Sequence, residues 1–182
     1  MTGNYEDIHR DVIESCMKGD VRAQYQLYSL YAKAMYNICY RMTNVQEDAE
    51  DMLQESFSYA FSKLGSFRFE SSFGAWLKRI VVNTCINHLK KRRIDLVYPE
   101  HPMEAPEEDD PVDYGEVRFQ AERVRTAMEA LPDGYRVVFS LYLLEGYDHK
   151  EISDILGITE STSKSQFLRA KQKIKEILEH HA

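Results

Sequence analysis

Residues 148–159 read DHKEISDILGIT, and their order of polar, apolar and glycine residues predicts the fold of the C-terminal part of the chain. It predicts a short helix that ends at Leu156, a tight turn at Gly157 and a second helix that begins at Glu160, with Thr159 as its N-cap. The apolar residues on both sides of the turn have the spacing of a helix-turn-helix: Ile152, Leu156 and Ile158. An ordinary helical hairpin is the alternative interpretation.

The second helix of this motif predicts a polar, cationic surface. Its buried side is predicted from Phe167, Ala170 and Ile174, while residues 161–175 contain five Lys or Arg and no acid. A polar first turn followed by cations suits insertion into the major groove of DNA. The residues predicted to bind DNA from the outward side are Ser161, Lys164, Ser165, Arg169 and Gln172.

The rest of the chain has the same helical periodicity. Apolar residues recur every three or four positions, and no long alternating run of strand type occurs. We predict helices over residues 6–18, 21–43, 46–64, 73–92, 118–130, 134–145, 149–156 and 160–178. The predicted fold class is all-α, with two small helical domains.

An acidic, proline-rich stretch separates the two helical parts. Four of the five prolines, and eight carboxylates without any Lys or Arg, lie between Pro99 and Glu116. Proline and self-repelling carboxylates favour an extended chain. We predict an N-terminal domain over 1–93, a linker over 94–117 and a C-terminal domain over 118–182. Without those eight carboxylates the formal net charge changes from −7 to +1, so nucleic acid remains a candidate partner.

The helix predicted over 73–92 has two distinct faces. Its core side is predicted from Phe73, Leu77, Ile80, Val81 and Thr84. The opposite face offers a ring that can stack on a base, amides that can bond base edges and cations for phosphates. That face consists of Trp76, Arg79, Asn83, Asn87 and Lys90. The alternative interpretation of this face is a solvated surface with a half-buried tryptophan. The aromatic, polar loop before the helix, 67–72, suits the capture of one unstacked base.

The helix predicted over 46–64 has the opposite charge. Its core stripe is predicted from Ala49, Leu53, Phe57, Ala60 and Leu64. The far side carries Asp51, Gln54, Glu55, Ser58 and Ser62, and no Lys or Arg occurs between residues 42 and 62. DNA would repel this face, which is therefore either plain solvated surface or a docking site for a basic protein partner.

Several classes of protein are excluded by what the sequence lacks. Cys16, Cys39 and Cys85 are scattered and odd in number, so we predict free, half-buried core thiols rather than disulfides or a zinc site. The histidines have no metal-ligand spacing, and no Gly-rich phosphate loop or hydrolase motif occurs, so we predict no metal, no cofactor and no enzymatic activity. Because no apolar run could span a bilayer and the N-terminus lacks a secretory signal, we expect a soluble, cytoplasmic protein.

Four blocks of sequence together resemble the extracytoplasmic-function (ECF) sigma factors of bacterial RNA polymerase. The blocks are DAEDMLQESF at 48–57, FRFESSFGAWLKRI at 67–80 with Asn83, Leu131-Pro132 with RVVF at 136–139, and EGYDHKEI at 145–152. They occur in the order and spacing of the family, from about residue 20 to residue 178. The resemblance implies a promoter-specificity subunit that directs core polymerase.

The resemblance assigns a role to each surface. It implies that Asp51, Gln54 and Glu55 dock the clamp helices of the largest polymerase subunit, and that the helix-turn-helix binds the upstream promoter element as duplex. It further implies that the loop at 67–72 and the helix predicted over 73–92 open the start-proximal element and hold its non-template strand. The residues implied in this role are Phe69, Ser71, Ser72, Trp76, Arg79, Asn83, Asn87, Lys90 and Lys91. The linker of the family threads the RNA-exit path. The family often has an anti-sigma factor, which no residue of this sequence identifies.

Two positions depart from the family pattern. Ser163 lies where valine is more usual, and we expect its hydroxyl to bond back to the Thr159 carbonyl and loosen the recognition helix. Gln166 lies where arginine is common, which removes one cation.

Two rival hypotheses explain less of the sequence. A stand-alone helix-turn-helix regulator leaves the 46–64 and 73–92 surfaces without a use. A protein-binding adaptor leaves both cationic segments without a use.

Overall fold

A computed structural model describes residues 8–92 and 117–180, with backbone alone for residues 117–122 and 180. These residues form α-helices with short turns and no β-strand, which confirms the predicted all-α class. The chain divides into two units, Met1–Arg93 and Ile94–Ala182. The linker predicted over 94–117 lies outside the described residues apart from Val117, with which a helix begins.

Unit 1 contains four α-helices within its described residues. They are α1 (Arg10–Met17), α2 (Val21–Thr43), α3 (Gln46–Lys63) and α4 (Phe73–Lys91), with a single 3-10 turn at Leu64–Ser66 between α3 and α4. Side-chain caps mark the starts of α2 and α4. The Asp20 carboxylate accepts a hydrogen bond from the backbone N–H of Arg22 (2.8 Å) at the start of α2, and the Ser72 hydroxyl accepts one from Ala75 (3.1 Å) at the start of α4.

The core of unit 1 lies between α2, α3 and α4. The stripe predicted on α3 is buried at all five positions, from Ala49 to Leu64. On α4, Phe73, Leu77 and Val81 are buried as predicted, whereas Ile80 and Thr84 are only half-buried. Their places in the core are taken by Val82, Cys85 and Ile86, because α4 packs between two neighbours and buries a wider sector than one stripe. All three cysteines are free, and they are fully buried rather than half-buried as predicted.

Unit 2 contains α5 (Val117–Glu129), α6 (Asp133–Phe139), α7 (His149–Leu156) and α8 (Glu160–His180). The helix predicted over 134–145 is α6 followed by a π-helical turn at Ser140–Leu144. The core is formed where α6 and α7 pack on α8, with Val137, Leu141, Ile152 and Ala170 fully buried.

Local hydrogen bonds set the geometry of the helix-turn-helix. Asp148 and Glu151 form a capping box at the start of α7. Gly157 ends that helix with φ 73°, a left-handed conformation that glycine adopts without a steric penalty. The Thr159 hydroxyl then accepts a hydrogen bond from the backbone N–H of Thr162 (3.0 Å), so Thr159 caps α8 as predicted.

None of the helices in residues 8–92 and 117–180 combines the length and the hydropathy that a transmembrane span needs.

Candidate functional site

The first candidate surface is the acidic face of α3. Asp51, Gln54 and Glu55 are all exposed, on the side of the helix away from the buried stripe. Ser58 and Ser62 continue the same exposed side. The helix therefore presents carboxylates and an amide to a partner without any Lys or Arg among residues 46–62.

One acid of α3 does not belong to that face. Asp48 is buried, its carboxylate pairs with the Arg92 guanidinium, and its Oδ2 lies 3.4 Å from the His88 Nε2. Sequence reasoning missed this cluster. A signal existed on α4, where His88 and Arg92 are one turn apart, but no feature of the sequence indicated that Asp48 faces them. The cluster ties the start of α3 to the end of α4 and occupies Arg92 within the protein.

The second candidate surface is the polar side of α4. Arg79, Asn83, Asn87 and Lys90 are exposed at intervals of three or four residues, and Lys91 is exposed beside them. Because that spacing repeats the helical turn, the four side chains form one row. The row brings two amides and two cations to a single face of the helix.

The Trp76 ring lies at the edge of this row rather than fully on it. Trp76 is half-buried, with its ring centroid 5.2 Å from that of Phe67 and 5.7 Å from that of Phe73. Phe73 in turn meets Tyr31 of α2 at 5.1 Å. Part of the Trp76 surface is therefore used for packing, and only the remainder is available to stack on a base.

The loop before α4 is more ordered by side-chain contacts than its sequence indicates. Phe69 has φ 56°, and its half-buried ring packs on Phe67 at 4.8 Å between centroids. The Arg10 guanidinium of α1 lies 4.5 Å from the Phe69 ring centroid. Ser71 is exposed, whereas the Ser72 hydroxyl caps α4.

The third candidate surface is the outward side of α8. Ser161, Lys164 and Gln172 are exposed, and Ser165 and Arg169 are half-buried. Lys164 Nζ lies 2.7 Å from Glu160 Oε1, and this bond together with the positive charge lowers the pKa of the Glu160 carboxyl. The structure thus places the five predicted residues along one helix, with one cation already paired by an acid of the same helix.

One prediction about the inner side of α8 is wrong. The buried Ser163 hydroxyl lies 2.9 Å from His149 Nδ1, so it bonds across to α7 instead of to the Thr159 carbonyl. The His149 ring also stacks on Tyr142 of the π-helical turn, with centroids 4.3 Å apart, so His149 joins α7 to that turn and, through Ser163, to α8. Gln166 also lies on the inner side of α8 and is 1% exposed.

Across the described part of the chain, no three His, Cys, Asp or Glu side chains group closely enough to hold a metal ion.

Comparison with known proteins assigns both units to one family. The family model "Sigma-70 region 2" matches residues 27–94, and the model "Sigma-70, region 4" matches residues 121–174. The first match covers most of α2, α3 and α4, and the second covers the helix-turn-helix.

Relatives match over nearly the whole chain. The ECF RNA polymerase sigma-E factor of Salmonella typhimurium is 30% identical over 174 residues, which are 90% of this chain and 90% of the relative. The ECF sigma factor SigM of Mycobacterium tuberculosis is 28% identical over 179 residues (97% of this chain, 87% of the relative). SigW of Bacillus subtilis is 27% identical over 179 residues (91% of this chain, 94% of the relative).

Solved structures have the same fold. CnrH in complex with the cytosolic domain of CnrY matches 97% of this chain and all of that chain, with a TM-score of 0.56 and 23% identity. RpoE of Bartonella quintana in complex with the anti-sigma factor NepR matches 87% of this chain and 98% of that chain, with a TM-score of 0.55 and 24% identity. The chain belongs to the ECF family of RNA polymerase sigma factors, which bind core polymerase and promoter DNA to initiate transcription.

Proposed function

We propose that the two units of this sigma factor divide promoter recognition between them. The N-terminal domain, 1–93, docks core polymerase and opens the start-proximal promoter element. The linker, 94–117, connects the two domains. The C-terminal domain, 118–182, binds the upstream element. The observation that carries this proposal is the separation of charge within unit 1, where α3 exposes carboxylates and α4 exposes amides and cations. A protein that only bound DNA would have no use for the exposed carboxylates of α3 beside the amides and cations of α4.

The acidic face of α3 is the polymerase-docking surface in this proposal. Asp51, Gln54 and Glu55 lie off the core stripe, so they can bind a partner without any change in the fold. Phosphates would repel this face, whereas basic helices of a protein would be attracted to it. Charge complementarity of this kind also raises the rate of association.

The row on α4 and the preceding loop hold the melted strand. Stacking on an aromatic ring is worth about 1–3 kcal/mol per base and accepts any base, which suits a strand that has just lost its pairing. Trp76 provides the ring at the edge of the row, Asn83 and Asn87 can bond base edges, and Lys90 and Lys91 can contact phosphates. Phe69, Ser71 and Ser72 close the N-terminal end of the row.

The outward side of α8 binds the upstream element as duplex. Ser161, Lys164 and Ser165 lie in the first two turns of α8, the part of a recognition helix that reaches base edges in the major groove. Arg169 and Gln172 lie further along, where phosphate contacts position the helix.

Further parts of the proposal follow from this role. The protein acts in the cytoplasm beside polymerase, needs no cofactor, and contributes binding and positioning instead of a catalytic step. An anti-sigma factor controls it, as the complex of RpoE with the anti-sigma factor NepR supports by analogy of fold. Such a partner would compete for the surfaces that bind polymerase or DNA.

Run-off transcription tests the proposal. Core polymerase is incubated with a library of genomic fragments, with and without the chain, and the transcripts are sequenced. We expect a discrete set of start sites that appears only with the chain and is lost with Asp51→Arg. Duplex binding by the chain without any new start site would favour a stand-alone helix-turn-helix regulator instead.

A further inference from the structure

A residue outside both family matches holds the loop that precedes α4. Arg10 is the first residue of α1, whereas the region 2 match begins at residue 27. We propose that Arg10 is a positioning residue for promoter opening, which holds Phe69 in the conformation that presents the loop to the unpaired strand. This inference rests on the proposed role of the loop and of the α4 row.

The backbone of Phe69 needs such support. Its φ of 56° places it in the left-handed region, where a bulky side chain pays a steric cost that glycine does not. A residue keeps this conformation only when its surroundings determine it. The Phe69 ring has two described neighbours that do so, the Phe67 ring at 4.8 Å and the Arg10 guanidinium at 4.5 Å between its Cζ and the ring centroid.

Arg10 is itself held in place by its own helix. Its Nε lies 2.8 Å from Glu14 Oε1, one turn further along α1, and the two side chains are 39% and 43% exposed. The Glu14 carboxylate therefore orients the guanidinium plane before any DNA arrives. Arg10 thus acts as a fixed support for Phe69.

Phe67 transmits the position of Phe69 to the rest of the row. The Phe67 ring contacts Phe69, Phe73 at 5.8 Å and Trp76 at 5.2 Å. A loop that loses the Arg10 contact would let Phe69 leave its strained conformation. Phe67 would then lose one packing neighbour, and the Trp76 ring packs on Phe67. Arg10 would then affect base capture without any contact to a base.

A double-mutant cycle on the holoenzyme tests this mechanism. The variants are Arg10→Ala, Phe69→Leu and their combination. The control is Lys18→Ala, which removes one exposed positive charge just after α1. Open complex is measured by permanganate reactivity of thymines on a promoter recovered by run-off transcription. Duplex binding and holoenzyme formation are measured separately.

We expect Arg10→Ala to lower the amount of open complex about two- to fivefold, the factor that a partly exposed cation–π contact supplies. Lys18→Ala should match wild type, and the double variant should be no worse than Phe69→Leu alone, because the Arg10 effect passes through Phe69. If Arg10→Ala lowers the amount of open complex equally in the wild-type protein and in Phe69→Leu, Arg10 contacts DNA directly and the inference is overturned. A gain in opening for Arg10→Ala would also overturn it, since the guanidinium would then block the ring.

The single tryptophan of the chain gives an independent readout. Acrylamide quenching of Trp76 in the free protein should increase in Arg10→Ala and stay at the wild-type value in Lys18→Ala. Equal quenching in all three proteins would show that Arg10 does not position the row. Trp76→Ala in the opening assay separates this failure from failure of the proposed function. If Trp76→Ala opens the promoter normally, the proposed role of the α4 row is wrong. If Trp76→Ala fails to open the promoter but Arg10→Ala opens it normally, only the inference about Arg10 is wrong.

Discussion

Replacing the buried Gln166 of α8 should stabilise the protein. Gln166 is 1% exposed, and its Oε1 has no hydrogen-bond partner among the described residues. A buried carbonyl oxygen in this state costs about 1–3 kcal/mol. Methionine has nearly the same length and shape without a group that needs a partner. We therefore expect Gln166→Met to raise the free energy of unfolding of unit 2 by about 1–3 kcal/mol.

Two spectroscopic probes can assign this change to unit 2. Far-UV circular dichroism follows the helices of both units, whereas Trp76 fluorescence follows unit 1 alone, because Trp76 is the single tryptophan. Each kcal/mol should raise the Tm by about 4–8 °C for a domain of this size. The dichroism transition of unit 2 should shift upward while the Trp76 transition stays in place. Gln172→Met is the control, since Gln172 is exposed on the same helix.

The opposite substitution tests the same burial. Gln166→Arg restores the residue type that is common at this position in the family, but it would bury a charge inside unit 2. We expect lower stability and no gain in affinity for upstream-element DNA. If Gln166→Met destabilises the protein, or if Gln166→Arg is stable and binds DNA more tightly, the side chain does not lie in the core and the reasoning is refuted.

The other predictions concern the three proposed surfaces. Asp51→Arg should weaken competition for core polymerase while the circular dichroism spectrum stays that of wild type, and Ser62→Arg near the end of the same helix should compete better than Asp51→Arg. Lys164→Ala and Arg169→Ala should each weaken binding to upstream-element duplex; loss of a phosphate contact lowers the salt slope by about one, whereas loss of a base contact costs about 1–3 kcal/mol at one position. Unchanged affinity in both would contradict the placement of α8 in the groove. Trp76→Ala should form holoenzyme and bind duplex promoter yet give little permanganate-reactive open complex, and a premelted template should restore much of its transcription; joint loss of thermal stability and polymerase binding would instead make Trp76 a packing residue.

The elements of this fold were predictable because their causes are local. The apolar spacing on α3, the glycine at the end of α7 and the Thr159 cap of α8 all depend on residues within a few positions of one another, and each has the predicted geometry. The same holds for the exposed row on α4, since residues three or four apart share a face of any helix. The sequence alone was therefore enough to predict the helices, the helix-turn-helix and most positions of the outward faces.

The contacts between residues of different helices depend on tertiary packing. Asp48 and Arg92 are 44 positions apart, and no periodicity within α3 could show that Asp48 turns away from the acidic face toward α4. The bond of Ser163 to His149 and the support of Phe69 by Arg10 also join different elements. Such contacts depend on how the helices pack, and packing is settled by the complementary shapes of several side chains at once. The pattern within one helix predicts on which face of that helix a residue lies, but it does not predict which residue of another helix that residue contacts.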